Sequence, residues 1–561
     1  MNPATLVLGL PGGLKQEFTL SKARVTIGRA TTSDIVLRDP MVSRNHARIE
    51  RTPRGFEVAD LGSINGIHVN GVRQTRAALS PGDVLTLGDS TFHFSPSQPE
   101  LDPDVTRIET DRDFEATMLG SPIPVHLGES ALPRVAVCTA GRTWEVTMEG
   151  DSLTIGRDAG SDILLDHPSV SRHHAVIERR GDAFVLRDLR SRNGTWVGRE
   201  RIERVPLGDG DSAAIGRAQL VFKRGVSAHD LEVEPGQGDG SARRPVIVIP
   251  GFAGSNLWHG SERVWPTMRM LGLSELLRMD QPLEARGIVD DVVVVPNLIR
   301  LDQYGLLTGY LRESLGYEPG RDLLEFGYDF RQDNRESARR LAATIDKWAV
   351  AAPITIVAHS MGCLVARYYV ERLGGSKRVE RVILLGGPHA GTPYAFASLM
   401  NGPDLLPLGM MNLRLRDMLA TYPSWYQILP TYKCVSDQTS KVDVLADESW
   451  VQEGNRALLR AARVFRKELG THSSVPTVCI FGYGFKTITG AVVERDAAGT
   501  LRKANMVVTS SGDGTIPQTS AVMKGAEIHP VRQHHGSLYV DNDVKMRLKI
   551  DLTRQSARHA G

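Results

Sequence analysis

Ser360 stands in the run Ala358-His359-Ser360-Met361-Gly362. An apolar, β-branched segment at 354–357 precedes it, which reads as a buried strand. Leu364, Val365, Tyr368, Tyr369 and Leu373 follow at helical spacing, and Gly374-Gly375 ends the helix. A serine at a sharp strand-to-helix turn is lifted clear of the sheet, with small residues two before and two after it so that strand and helix approach closely. Here Ala358 and Gly362 take those places. A serine hydroxyl is a poor nucleophile at neutral pH. It needs a histidine to take its proton and a carboxylate to hold that histidine. Downstream, Asp513 lies between glycines after an apolar run at 506–509, and His534-His535-Gly536-Ser537 precedes an expected final helix at 541–552. Ser360, Asp513 and His535 in that order make a nucleophile, an orienting acid and a base. His534 is the runner-up base, His529 is less favoured beside Pro530, and His359 reads as structural. The oxyanion that develops on attack needs two backbone N–H groups. Met361 supplies one, and Phe252, in the loop 250–255 after the first strand, the other. Ser255 in that loop is another nucleophile candidate but lacks the turn. No metal or cofactor is needed.

The elements that must position these residues begin near Arg243. Apolar runs (VIVIP, VVVVP, ITIVA, RVILLG, VCIFG) alternate there with helical stretches. That alternation predicts a mostly parallel sheet with helices on both faces, and with the serine turn inside it an α/β-hydrolase fold.

The N-terminal part reads differently, because it repeats itself. Gly28-Arg29 recurs as Gly156-Arg157, Ser43-Arg44-Asn45-His46 as Ser171-Arg172-His173-His174, and Asn65-Gly66 as Asn193-Gly194, always 128 residues on. Short alternating runs broken by Gly, Asn and Asp clusters predict an all-β sandwich for each copy. The polar motifs fall at strand ends and loops, where sandwiches place binding sites.

Both copies resemble the forkhead-associated (FHA) domain family, through GR, SRxH, the DLGSxNG or DLxSRNG loop, and a following GD. The resemblance implies a reader of phosphothreonine peptides, and a phosphate near charge −2 suits guanidinium, hydroxyl and amide donors. It implies phosphate contacts from Arg29, Ser43 and Arg44 and a peptide contact from Asn65. Arg157, Ser171, Arg172 and Asn193 take those roles in the second copy, with His46 and His174 bracing the loops. The resemblance also implies a polar residue before the asparagine to assist the phosphate, a role that falls to Arg192 in the second copy, whereas Ile64 stands there in the first, which predicts weaker binding or another ligand there. The C-terminal part resembles the lecithin:cholesterol acyltransferase-like lipases, through PGFAGSNLW, VWP, GYDFR, AHSMGCLVARYY, LLGGPHAGTP, PSWYQILP and GDGTIP. That resemblance covers about 245–552 and implies cleavage of a lipid acyl ester through an acyl-serine, with water or an alcohol as acceptor. The interval 394–430, with Met400, Met410, Met411 and Met418 beside Trp425 and Tyr426, suggests a lid or acyl-binding cap, or a helical insertion packing its own core.

The expected division is therefore a first FHA domain at 1–95, an acidic linker at 96–133, a second FHA domain at 134–224, a flexible linker at 225–243 and the hydrolase at 244–555. Thr106, Thr110 and Thr117 in the first linker are candidate sites for a Ser/Thr kinase, and their phosphorylated forms candidate ligands for the chain's own readers. The 561 residues exceed one core, and 41% hydrophobic with 24% charged residues is globular composition. A net charge of +2 gives no case for nucleic-acid binding. Cys138, Cys363, Cys434 and Cys479 have no metal-type spacing and read as reduced thiols. With no signal-like start and no run long enough to span a bilayer, the expected location is cytoplasmic, compatible with peripheral contact at a membrane. Two other readings stand beside the lipid enzyme: a phosphopeptide-binding scaffold with a silent hydrolase domain, and a non-lipid serine hydrolase such as a thioesterase, peptidase or polyester depolymerase.

Overall fold

The structure is a computed structural model. It describes residues 4–9, 15–96, 125–127, 132–226, 229–231, 243–266 and 276–553, apart from 21, 38, 54, 140, 141, 296–298, 303, 349, 351, 404–411, 438 and 498. Thr106, Thr110 and Thr117 lie outside the described residues.

The two N-terminal copies are β-sandwiches. The first packs a five-stranded sheet against a seven-stranded one, the second a five-stranded against a six-stranded one. Alternation does the sorting: Val25 and Ile27 of Arg24–Gly28 and Ala47 and Ile49 of Ala47–Thr52 are buried while Arg24, Thr26, Arg48 and Glu50 are not, so each strand gives one face to the core between the sheets. The seventh strand of the first sandwich comes from the stretch expected to be an acidic linker at 96–133. Val125–Leu127 pairs in parallel with Lys15–Leu20 at the sheet edge.

The C-terminal domain is built on six parallel strands: β1 Val246–Ile249, β2 Leu323–Glu325, β3 Ile354–His359, β4 Val379–Leu385, β5 Thr477–Gly482 and β6 Glu527–Val531. Their order across the sheet is β2-β1-β3-β4-β5-β6. Strands β1, β3 and β5 are buried at every position, as expected when helices cover both faces. Those helices include α1 Asn334–Trp348, α2 Gly362–Arg372, α3 Arg456–Leu469 and α4 Asn542–Thr553. One expected strand is elsewhere. The VVVVP run at Asp291–Val295 pairs with Ile299–Asp302 in a separate antiparallel ribbon and takes no part in the main sheet. A β-branched run specifies a strand but not its partner.

Helix α4, which begins seven residues after His535, is where the parts meet. Its Asn542 side chain donates to Asp34 (2.7 Å) and its Lys545 ammonium to the Thr31 carbonyl (2.7 Å), both in the first sandwich. Its Asp543 pairs with Arg134 and, at 3.3 Å, with Lys223, both in the second. Burial alone would raise the Asp543 carboxyl, but Arg134 and Lys223 outweigh it and hold it well below the usual range. Lys223 also donates to the Pro530 carbonyl at 2.5 Å. The four cysteines are free, three of them buried. No helix among the described residues is long and apolar enough to cross a membrane.

Candidate active site and phosphopeptide sites

Strand β3 ends at His359, and the next residue, Ser360, has φ 51°. A non-glycine residue there costs about 1–3 kcal/mol and persists only where its surroundings over-determine it. The Ser360 N–H is held by the Leu385 carbonyl at 2.8 Å. The small neighbours are explained by contact. A Cβ at residue 362 would lie 2.2 Å from the Pro250 carbonyl oxygen, so glycine is required there. Ala358, also fully buried, fits as it is.

His535 opens the turn after β6. Its Nε2 is 2.9 Å from Ser360 Oγ and its Nδ1 2.8 Å from Asp513 Oδ2. Asp513 is fully buried. Its Oδ1 accepts the Thr515 and Ile516 N–H groups at 2.9 and 2.6 Å, and its own carbonyl accepts the His535 N–H at 2.9 Å. With Oδ2 accepting from Nδ1–H, Nε2 is left unprotonated and faces the serine. The three predicted residues therefore meet. His534 makes no bond to Ser360; its ring lies 3.7 Å from that of Phe485, and burial lowers it to about 4. His529 is fully buried at the Lys223 contact, with both ring nitrogens unpartnered. Ser255 is buried and accepts the Tyr328 N–H at 3.0 Å, which gives it a structural task.

Phe252 and Met361 flank the serine, and neither N–H has a backbone acceptor among the described residues. The loop carrying Phe252 is braced from two sides. The Tyr328 hydroxyl of the GYDFR motif donates to the Pro250 carbonyl at 3.0 Å, and Trp265 Nε1 to the Ala253 carbonyl at 2.7 Å. Arg331 of the same motif is fully buried, forms a two-pronged pair with Asp329 (2.9 and 2.8 Å) and donates to the Arg278 and Gln281 carbonyls. The Phe252 ring packs edge-on against the buried rings of Phe330 and Trp425, at 4.9 and 4.7 Å between centroids, which anchors the loop on the core. Trp425, Tyr426 and Met418 are buried in the domain core, with Met400 packed partly buried against it, so these members of the expected cap serve as core. Met410 and Met411 lie outside the described residues.

The two sandwich sites match each other closely. In the first, Ser43 N–H donates to His46 Nδ1 (3.0 Å), whose Nε2 reaches the Gly66 carbonyl (3.0 Å). In the second, Ser171, His174 and Gly194 repeat this at 3.1 and 3.2 Å. Burial lowers His174, in keeping with a neutral brace. Ser43 and Ser171 each accept the N–H of the residue before the loop asparagine, Ile64 or Arg192, at 3.1 Å. Asn65 and Asn193 donate to the Met41 and Ser169 carbonyls at 2.6 and 2.8 Å. Arg29, Arg44, Arg157, Arg172 and Arg192 are exposed around these serines. A Cβ at residue 28 or 156 would stand 2.1 or 1.9 Å from the carbonyl oxygen of Arg44 or Arg172, so the glycine lets the two arginine loops touch. Ile64 is 85% exposed at the lip of the first site.

Fold and sites thus define two phosphate-reader-like sandwiches joined to an α/β-hydrolase with a serine, histidine and aspartate in contact. The FHA domain model matches residues 25–88 and 153–216, and the lecithin:cholesterol acyltransferase model residues 301–498. The glycogen accumulation regulator GarA of Mycobacterium tuberculosis is 32% identical over 164 residues, 26% of this chain and 97% of that protein. The ABC transporter ATP-binding/permease protein Rv1747 of the same species is 45% identical over 85 residues, but the chain spans only 10% of its length. The solved Tle4–Tli4 complex shares 16% identity over 54% of this chain and 97% of that one, with a TM-score of 0.42. The chain belongs to the FHA domain family, of which it carries two copies, followed by a lecithin:cholesterol acyltransferase-like domain.

One residue of the site is absent from the sequence reading. Tyr304 places its hydroxyl 2.7 Å from His359 Nδ1. Nothing in its own segment signals this, since its partner is 55 residues away in the chain.

Proposed function

We propose that the chain is a serine-dependent hydrolase or acyltransferase of lipid acyl esters, recruited or regulated through phosphothreonine contacts at its FHA domains. The observation that carries the catalytic part is the continuous line of hydrogen bonds from Ser360 through His535 to Asp513, at 2.9 and 2.8 Å. In this reading His535 takes the Ser360 proton as Oγ attacks the ester carbonyl carbon. The Phe252 and Met361 N–H groups receive the oxyanion. Collapse breaks the bond to the leaving alkoxide, which takes the proton from His535 and departs as the alcohol. Water or a second alcohol, deprotonated by His535, then releases the acyl group from Ser360. The match to the acyltransferase model supports a lipid acyl chain as substrate. A fluorophosphonate probe tests the mechanism: wild type should label and Ser360→Ala should not, and absence of labelling in both would leave a phosphopeptide-binding scaffold. Release of fatty acid or a new ester from a lipid extract tests the substrate class.

The phosphothreonine part assigns the phosphate to Arg29, Ser43 and Arg44 in the first domain and to Arg157, Ser171, Arg172 and Arg192 in the second. Asn65 and Asn193 bind the peptide backbone. A phosphorylated partner protein and the Ser/Thr kinase that modifies it are implied, with Thr106, Thr110 and Thr117 as ligands in the same chain. Titration with phosphothreonine peptides spanning these residues, against the unphosphorylated forms, tests it.

A further inference from the structure

Behind the serine lies a second line of hydrogen bonds that the acyl-transfer steps do not use. Gly251 N–H donates to the Tyr304 hydroxyl at 2.7 Å. That hydroxyl is 2.7 Å from His359 Nδ1, and His359 Nε2 is 3.1 Å from the backbone carbonyl of His535. Tyr304, His359 and His535 are all at least 95% buried, so water does not compete for these bonds.

The direction of each bond follows from its neighbours. The Tyr304 oxygen already accepts from Gly251, so its own proton goes to His359 Nδ1. Nδ1 is then an acceptor, and Nε2 carries the hydrogen that the His535 carbonyl accepts. A proton added at Nδ1 would face the Tyr304 hydroxyl and break the order. Burial, with the neighbouring His535 adding to it, keeps His359 neutral by pushing its pKa far below the usual value. The rings are packed as well as bonded: Tyr304 and Tyr539 lie 5.4 Å apart, His359 and Tyr539 5.7 Å edge-on, and His359 and His535 4.8 Å.

The two ends of this line are the two halves of the machinery. Gly251 directly precedes Phe252, the proposed oxyanion donor, and a Cβ at 251 would stand 2.7 Å from the Ser360 Cβ, so the loop lies against the nucleophile. His535 is the base. We propose that Tyr304 and His359 are positioning residues that clamp the oxyanion loop to the turn bearing the base, so that the N–H donors and the imidazole keep one separation throughout acylation. This rests on the serine-hydrolase reading above. A misplacement of about 1 Å between such groups costs about 100-fold in rate, which sets the scale of the expected effect.

The test uses the full chain, fluorophosphonate labelling rates, and kcat and KM for p-nitrophenyl butyrate as a probe ester. A glutamine amide occupies the place of imidazole Nε2 and an asparagine amide that of Nδ1. His359→Gln therefore keeps the donor to the His535 carbonyl, while Tyr304 still holds Gly251. His359→Asn loses that donor, and Tyr304→Phe releases Gly251. Labelling and kcat should fall about 10- to 100-fold in Tyr304→Phe and His359→Asn with KM changed less than about threefold, and His359→Gln should stay within about fivefold of wild type. Equal rates for His359→Asn and His359→Gln, or wild-type labelling by Tyr304→Phe, would overturn the clamp while leaving the enzyme reading intact. Absence of labelling in wild type would overturn both. If His359→Asn lacks a wild-type thermal transition, Tyr304→Phe, which removes only one hydroxyl, decides the matter.

Discussion

Replacing Asp513 by asparagine changes one oxygen to an NH2 group, and the site dictates which way the amide faces. Oδ1 accepts two backbone N–H groups, from Thr515 and Ile516, in a fully buried position. Turning the amide NH2 toward them would leave two buried donors without an acceptor, at about 1–3 kcal/mol each. The asparagine oxygen must therefore face Thr515 and Ile516, and its NH2 must face His535 Nδ1. Nδ1 then has to accept, which moves the imidazole hydrogen to Nε2, the nitrogen that lies 2.9 Å from Ser360 Oγ. In that tautomer the histidine cannot take the serine proton. The loss expected for a correctly placed but wrongly protonated base is about 10⁴-fold in acylation rate, equivalent to about 5.4 kcal/mol of barrier. Fold and packing should survive, because the amide keeps both backbone contacts. The assay is the second-order rate of fluorophosphonate labelling, with circular dichroism to check the fold. If folded Asp513→Asn labelled within tenfold of wild type, the assignment of Asp513 as the group that fixes the tautomer would be wrong.

Other expectations follow from single features of the structure. Arg157→Ala should weaken binding of a phosphothreonine peptide to the second FHA domain by about 2 kcal/mol, the scale of a charge-assisted bond to phosphate; calorimetric titration measures this. Ile64→Arg, which copies Arg192 at an exposed position, should strengthen peptide binding to the first domain by several-fold, and unchanged affinity there would refute the role given to Arg192. On acidification, burial chiefly lowers His359, His389 and His529 far below their usual value and His534 to about 4. The unfolded chain binds protons near pH 6.5 and the folded one does not, so stability is full above that pH and declines below it, through about pH 4 for His534, by up to about 1.4 kcal/mol per pH unit per histidine. Equal urea midpoints at pH 7 and pH 5 would contradict this. Asp543→Asn leaves Arg134 and Lys223 with Glu145 as their shared carboxylate in a buried contact, which should cost up to about 3 kcal/mol and show as a lower Tm.

Much of this site is legible in the order of residues. The strand, the serine turn and the helix after it are local, and their pattern is written within about 20 residues. The readers are legible for another reason: every motif occurs twice at one offset. The choice between His534 and His535 is different. Both adjoin the same turn, and it is the bond from the His535 N–H to the Asp513 carbonyl, 2.9 Å, that orients the segment. The run at 291–295 shows the limit of composition, because its residues specify extended backbone while its partner is set by the chain that returns beside it. Strand β2 is three residues long, too short for any period to declare it. Tyr304 is invisible for a similar reason, since a hydroxyl bonded to a ring 55 residues away leaves no trace in its own neighbourhood.

Two charged residues of helix α4 find their partners in the N-terminal half. Asp543 finds its cations in Arg134 and Lys223, and the Lys545 ammonium finds its acceptor at Thr31. A fragment starting at residue 244 would keep the whole catalytic sheet yet present that acid and that amine to solvent on a surface shaped to be covered. The catalytic half and the N-terminal half thus share the contacts of one helix. Whatever loosens the N-terminal half loosens the helix that begins seven residues beyond the base.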